Sequence, residues 1–137
     1  MNDKQYRSLA RYAGRIAKEL GLGHYDLSIH NEQAGETAEG ETAAASFEGT
    51  YGRYCGVIRV NKHFDHYAPE DQRVYIVHEL LHAHTEAVRE FTRSALAGTM
   101  GREAYEVFMA GYRQQDERFT DALATSIAPK FPLWDGK

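Results

Sequence analysis

The chain has one cysteine, three prolines and one tryptophan among its 137 residues. Cys55 on its own closes no internal disulfide and assembles no thiolate zinc site or iron-sulfur cluster, so any metal has to be held by histidines and carboxylates. As a nucleophile Cys55 is a poor prospect too, because Tyr54, Gly56, Val57 and Ile58 give it the surroundings of a half-buried strand. There is no run of Lys or Arg, and the net charge is -4. That balance turns the expectation away from nucleic acid and anionic membrane surfaces, and towards a peptide, protein or small molecule. No stretch approaches the ~20 apolar residues that span a bilayer. The first twenty residues, MNDKQYRSLARYAGRIAKEL, mix charge with apolar residues and lack the core of a signal peptide. A soluble, cytoplasmic protein is expected.

The length suits one compact domain, residues 1–137, around one hydrophobic core. Tyr6, Leu9, Tyr12 or Ala13, Ile16 and Leu20 recur at helical spacing from about residue 3 to 20, and Gly21 and Gly23 supply a stop. Leu27 and Ile29 alternate with polar residues as in a short strand, before a Gly, Glu and Thr-rich loop from about Asn31 to Thr42 that is expected to be mobile. Two further strands, around Ala44 to Tyr51 and Cys55 to Val60, are joined through Gly52 and Arg53 in the manner of a hairpin. Pro69, Glu70 and Asp71 then open a helix that runs to about Ala97, with proline and acids in the first turn. Gly98 and Gly101 separate it from a second helical stretch, Arg102 to Ala128, with Gly111 as a point of interruption and Pro129 and Pro132 at its end. The reading is an α+β domain: an N-terminal helix, a small, three-stranded, mostly antiparallel sheet, then the later helices.

The chemistry lies in His78-Glu79-Leu80-Leu81-His82. Histidines four apart on a helix project from one face about one turn apart and can grip a single ion. Glu79, rotated by about 100° from His78, can reach a metal-bound water without being a ligand. The chain's own composition would produce this pattern in roughly 3% of shuffled sequences, so the pattern alone does not decide. Its place inside a strong helix, with apolar Val77, Leu80 and Leu81 as filler, favours a metal site.

Hydrolytic zinc usually takes three protein ligands and keeps a fourth position for water. His84 turns to the far side of the helix, and Glu86 stands about 12 Å along the axis from His78, so the third ligand has to come from elsewhere. Glu117 and Asp121, again four apart, offer it on the second helical stretch, where Phe119, Ala122 and Leu123 provide an apolar stripe for packing. Asp121, one turn on, can accept the spare N–H of a metal-bound imidazole. Asp116 and Glu106 stay open as rival ligands, and a solvated acidic face is the bland alternative for the pair.

HELLH followed by Glu117-Arg118-Phe119-Thr120-Asp121 resembles the gluzincin pattern, HExxH with a downstream ExxxD. The resemblance implies a minimal zincin-like domain with His78, His82 and Glu117 as ligands of one Zn2+, Glu79 as general base and acid, and Asp121 as the partner of His78. The short chain, and Gly56-Val57-Ile58-Arg59-Val60-Asn61 ahead of the motif helix, are also similar to minimal gluzincins and ImmA/IrrE-like peptidases. The chain departs from them in Leu81, where many have Gly, and in a long gap between His82 and Glu117.

The activity implied is zinc-dependent hydrolysis of peptide bonds, in which Glu79 takes a proton from water and passes it to the leaving amine. An edge strand, Ala44 to Glu48 or Ile58 to Val60, can hold an extended substrate. Tyr112 is the first candidate for an oxyanion donor, with Tyr105, His63, His66 and Tyr67 as alternatives. The tail around Phe131, Leu133 and Trp134 is expected to cap the core, with closure over the cleft as the sharper possibility. Competing readings are a peptidase-like regulator that acts by binding, a narrow protease that cuts one transcriptional repressor, and an accidental HELLH in a structural helix bundle.

Overall fold

The computed structural model describes residues 1–31, 43–50 and 52–136. Most of the loop expected from about Asn31 to Thr42 lies outside the described residues, as does Tyr51 at the end of the second expected strand.

Helix α1, Asp3–Glu19, starts in a capping box: the Asn2 side chain accepts from the Gln5 N–H while the Gln5 side chain accepts from the Asn2 N–H. Asp3 in its first turn and Lys18 in its last suit the helix dipole. Gly21, at φ 80°, turns the chain away where a side chain would be strained. Leu9, Tyr12, Ala13, Ile16 and Ala17 form the buried face.

Three strands follow: β1 (Asp26–His30), β2 (Ala45–Gly49) and β3 (Cys55–Val60). They lie in the order β1-β3-β2, so β2 is an edge. β2 and β3 pair antiparallel from Ala45 opposite Val60 to Gly49 opposite Gly56, the expected hairpin, with Gly52 at φ 71° in the connection. β1 pairs with β3 in parallel, Asp26 opposite Cys55, which makes the sheet mixed, with one pair of each sense. Gly49 and Gly56 permit a close approach, because a Cβ on Gly56 would meet the Phe47 ring at 2.4 Å and one on Gly49 would meet Glu86 at 2.8 Å.

Helix α2 runs Pro69–Ala97 and α3 runs Arg102–Ile127. α3 is continuous through Gly111, since 26 residues of helix held at one end against α2 absorb one glycine at a cost of about 1 kcal/mol. The first half of α2 carries Ile76, Val77, Leu80 and Leu81 into one core with α1 and the inner face of the sheet. α3 joins that core near its end, through Ala124 and the partly buried Leu123 and Ile127. The packing stripe differs from the sequence expectation: Phe119 is 60% exposed, and Thr120 and Ala124 take the buried places. The tail fastens the helices together. Tyr12 donates its hydroxyl to the Pro132 carbonyl, Arg73 donates to that of Phe131, and the Trp134 indole N–H reaches Ser8. Phe131 and Trp134 are buried, so the described tail caps the core against α1. No helix among the described residues is long and apolar enough to cross a membrane.

Candidate metal centre

His78 and His82 lie one turn apart on α2, and their Nε2 atoms approach to 2.9 Å. α3 brings Glu117 to both, with one carboxylate oxygen 3.3 Å from His78 Nε2 and the other 3.6 Å from His82 Nε2. One donor atom from each of the three residues lies within 4.8 Å of the others, so the group could hold a metal ion. Two imidazoles and a carboxylate leave a coordination position open, as hydrolytic sites need.

The other ring nitrogens explain why the donors face inward. His78 Nδ1 is 2.9 Å from Asp121 Oδ1, which places a neutral ring's proton on Nδ1 and leaves the Nε2 lone pair towards Glu117 and His82. His82 Nδ1 is buried without a hydrogen-bond partner among the described residues; its nearest acid is Asp116, with an oxygen at 3.6 Å. Thr85 donates to that same carboxylate at 3.4 Å. With His78 Nδ1 held by Asp121, the His78 Nε2 lone pair, His82 Nε2 and the Glu117 carboxylate meet at one spot. Such a set repels itself unless a proton or a cation sits between its members, and the donor chemistry therefore fits a divalent ion.

The charges agree. A proton shared between the Glu117 carboxyl and the His78 and His82 rings, in the place a cation would take, holds that carboxyl well below the usual carboxylate range. Burial pulls the His78 imidazole down, but the bond to Glu117 and the charges of Glu79, Glu117 and Asp121 outweigh it, so the net shift is upward. Glu79 is buried, and burial pushes its carboxyl up against the opposing influence of His78, His82 and the Phe47 N–H. It shares a cleft of about 180 Å³ with His82, Glu117, Arg89 and the Ala45 and Phe47 positions of β2. That volume is below what encloses a drug-sized ligand.

The edge strand β2 pairs on one side only. The bonds from Thr50 N–H to the Cys55 carbonyl and from Asn61 N–H to the Ala44 carbonyl fix which residues spend their main-chain groups on β3. By alternation Ala45, Phe47 and Gly49 turn theirs to the outer edge; Phe47 accordingly reaches Glu79. A neighbouring pocket of about 410 Å³, lined among others by Tyr25, Tyr54, Glu86 and Phe91, lies at the Gly49 end of the same strand.

His78, Glu79, His82, Glu117 and Asp121 are thus brought together, and the rivals are not. Glu106 pairs with Arg102 at 2.8 Å, and Asp116 sits behind His82 instead of among the donors. His84 turns away and meets the Leu20 carbonyl at 2.9 Å, while Glu86 pairs with Arg89. Tyr112 does not line the cleft: it stacks on Phe108 and its hydroxyl bonds with Thr92. The reason is rotation, since five residues place it about 140° around α3 from Glu117. Tyr67 bonds with Asn61, and His63 and His66 face each other beyond the sheet. Arg89 was missed, although its spacing of seven from His82 marks the same helix face.

Comparison with known proteins gives no match: no protein-family model, no curated protein and no solved structure corresponds to this chain. The functional reading rests on the chemistry of the site itself.

Proposed function

We propose that the chain is a zinc-dependent endopeptidase of gluzincin type, acting on extended peptide segments. The observation that carries this reading is the convergence of His78, His82 and Glu117 within 4.8 Å, with buried Glu79 beside them in a cleft bordered by a sheet edge. His78, His82 and Glu117 would hold the ion, and when bound it supplies Lewis-acid polarisation of a carbonyl and lowers the pKa of water towards ~7.

The chain's own groups do the rest. Ala45 and Gly49, with the carbonyl of Phe47, whose N–H is held by Glu79, offer outward backbone groups that align an extended peptide by strand addition. Glu79 removes the proton of the attacking water and delivers it to the departing amine. Its raised pKa suits both transfers, because an acid held above its ordinary value gives and takes a proton nearer neutral pH. Arg89 replaces Tyr112 as the group in the cleft that can meet developing negative charge on the carbonyl oxygen. The pocket of Tyr25, Tyr54 and Phe91 suits an apolar side chain of the same peptide.

The test is hydrolysis of a mixed peptide library by zinc-loaded protein, followed by mass spectrometry. The wild type is expected to cut, and Glu79→Gln to lose at least about a hundredfold in rate while still binding zinc. Equal cleavage by both proteins, or none by a wild type that carries zinc, would overturn the reading.

A further inference from the structure

The outward face of α1 lies apart from the metal cleft and has a chemistry of its own. Lys4, Arg7, Arg11, Arg15 and Lys18 are spaced by three, four, four and three residues. Wound at 100° per residue they fall within an arc of about 80°, in a row about 21 Å long. All five are exposed. Among the described residues none of them is paired with a carboxylate. The acids of this helix, Asp3 and Glu19, stand at its two ends and outside the arc. An ordinary solvated face mixes its signs. Here five cations are gathered on one side of one helix in a chain whose net charge is -4.

Helix stability does not account for the row, because like charges four apart on a helix repel. Nor does packing, since the opposite face, with Leu9, Tyr12, Ala13 and Ile16, is the one in the core. A groove runs beside the row, lined by Ser8, Arg11, Gly14, Arg15, Lys18 and Asp135, so three cations face it against one carboxylate. Gly14 has nothing within 4 Å of where a Cβ would stand, which leaves the groove open between the cations.

We infer that this face docks on the phosphate backbone of double-stranded nucleic acid. Charge complementarity selects the partner: a rigid row of cations about 6 Å apart matches a linear array of phosphates. Three of the five are arginines, whose planar guanidinium pairs with phosphate through two parallel hydrogen bonds. A lipid surface fits less well, because the apolar face of α1 is committed to the core and the outward arc has no large apolar residue to insert. Backbone contact alone carries no sequence information, so the binding is indifferent to base sequence. The composition misses this feature because the cations never adjoin in the chain; they form a row only when the helix winds. None of the five lines the metal cleft, so the inference stands independently of the proposed peptidase activity.

The experiment is fluorescence anisotropy of the intact chain with labelled 20-base-pair DNA duplexes of two unrelated sequences, repeated across salt concentrations. Both duplexes are expected to bind alike, with a Kd on the order of 10 µM at low salt and a log–log salt slope approaching about -4. The triple variant Arg7→Gln/Arg11→Gln/Arg15→Gln should weaken binding at least about thirtyfold and make the slope shallower by about 3, with an unchanged circular dichroism spectrum and a melting point no lower than that of wild type. Neutralising Arg53 and Arg113, which lie off the row, should leave the slope within about 1 of wild type. No duplex binding at low salt, binding that survives the triple variant, or binding to phosphatidylserine vesicles but not to duplex would overturn the inference.

Discussion

The two halves of the α2–α3 hairpin differ sharply. In the half nearest the sheet, Ile76, Val77 and Leu80 are wholly buried, and Thr120 and Ala124 of α3 close over them. In the far half Val88, Phe91 and Val107 are 58%, 70% and 71% exposed. The metal donors sit at the boundary, where the helices are still pinned by the core but already open to solvent on one side. A group of mutually repelling donors needs rigid support, and the proposed peptidase function would also require access from solvent; the boundary offers both.

The contrast is broken most severely from the core side. Leu80→Ala is expected to lose about 2–5 kcal/mol of stability through a cavity beneath the metal donors, while Phe91→Ala changes stability by less than about 0.5–1 kcal/mol. Urea denaturation of the two variants side by side measures it; equal losses would show that the far half is as well packed as the near one. At the boundary, Asp121→Asn removes the carboxylate behind His78 and should weaken zinc binding about tenfold, the lower end of the usual range because Asp121 is largely exposed. Asp116→Asn should cost less, since its oxygen stands 3.6 Å from His82 Nδ1. Competitive titration against a zinc-binding dye ranks the two, and the reverse order would reassign the roles of the two acids.

The mildest effect belongs to α1, which shares the core of the near half, at high pH. Burial, partly offset by Arg73 and Arg15, pushes the Tyr12 hydroxyl up to about 12. A folded-state value above the ordinary 10.0 means that stability is intact below pH 10 and is lost as pH rises through 10 towards 12, because the folded chain holds the proton that the unfolded chain gives up. Urea midpoints measured from pH 9 to 11.5 should fall in the wild type and fall less steeply in Tyr12→Phe.

Local signals made most of the fold legible. Pro69 with Glu70 and Asp71 located the start of α2, Gly21 the end of α1, and Gly52 with Arg53 the hairpin, each through a conformational preference of the residue itself. The sense of the β1–β3 pairing was not legible, since strand direction is settled by the connection and by packing on α1, not by alternation. At the site, spacing on one helix was enough for His78, Glu79 and His82. Glu117 and Asp121 required knowing which face of α3 turns inward, and there the apolar guide was misleading: Phe119 points to solvent and small residues, Thr120 and Ala124, do the packing. Arg89 and the acid behind His82 could not be ranked without the fold, because charged residues at helical spacing are common on any exposed face.

The claim beneath the metal reading is that a carboxylate from α3 completes a set begun by two imidazoles on α2. Isothermal titration of metal-free protein with zinc tests it most directly. The wild type should take up one zinc per chain, and Glu117→Ala should bind at least about a hundredfold more weakly while keeping its melting point. Zinc uptake in Glu117→Ala equal to wild type, or no uptake by the wild type at all, would contradict it.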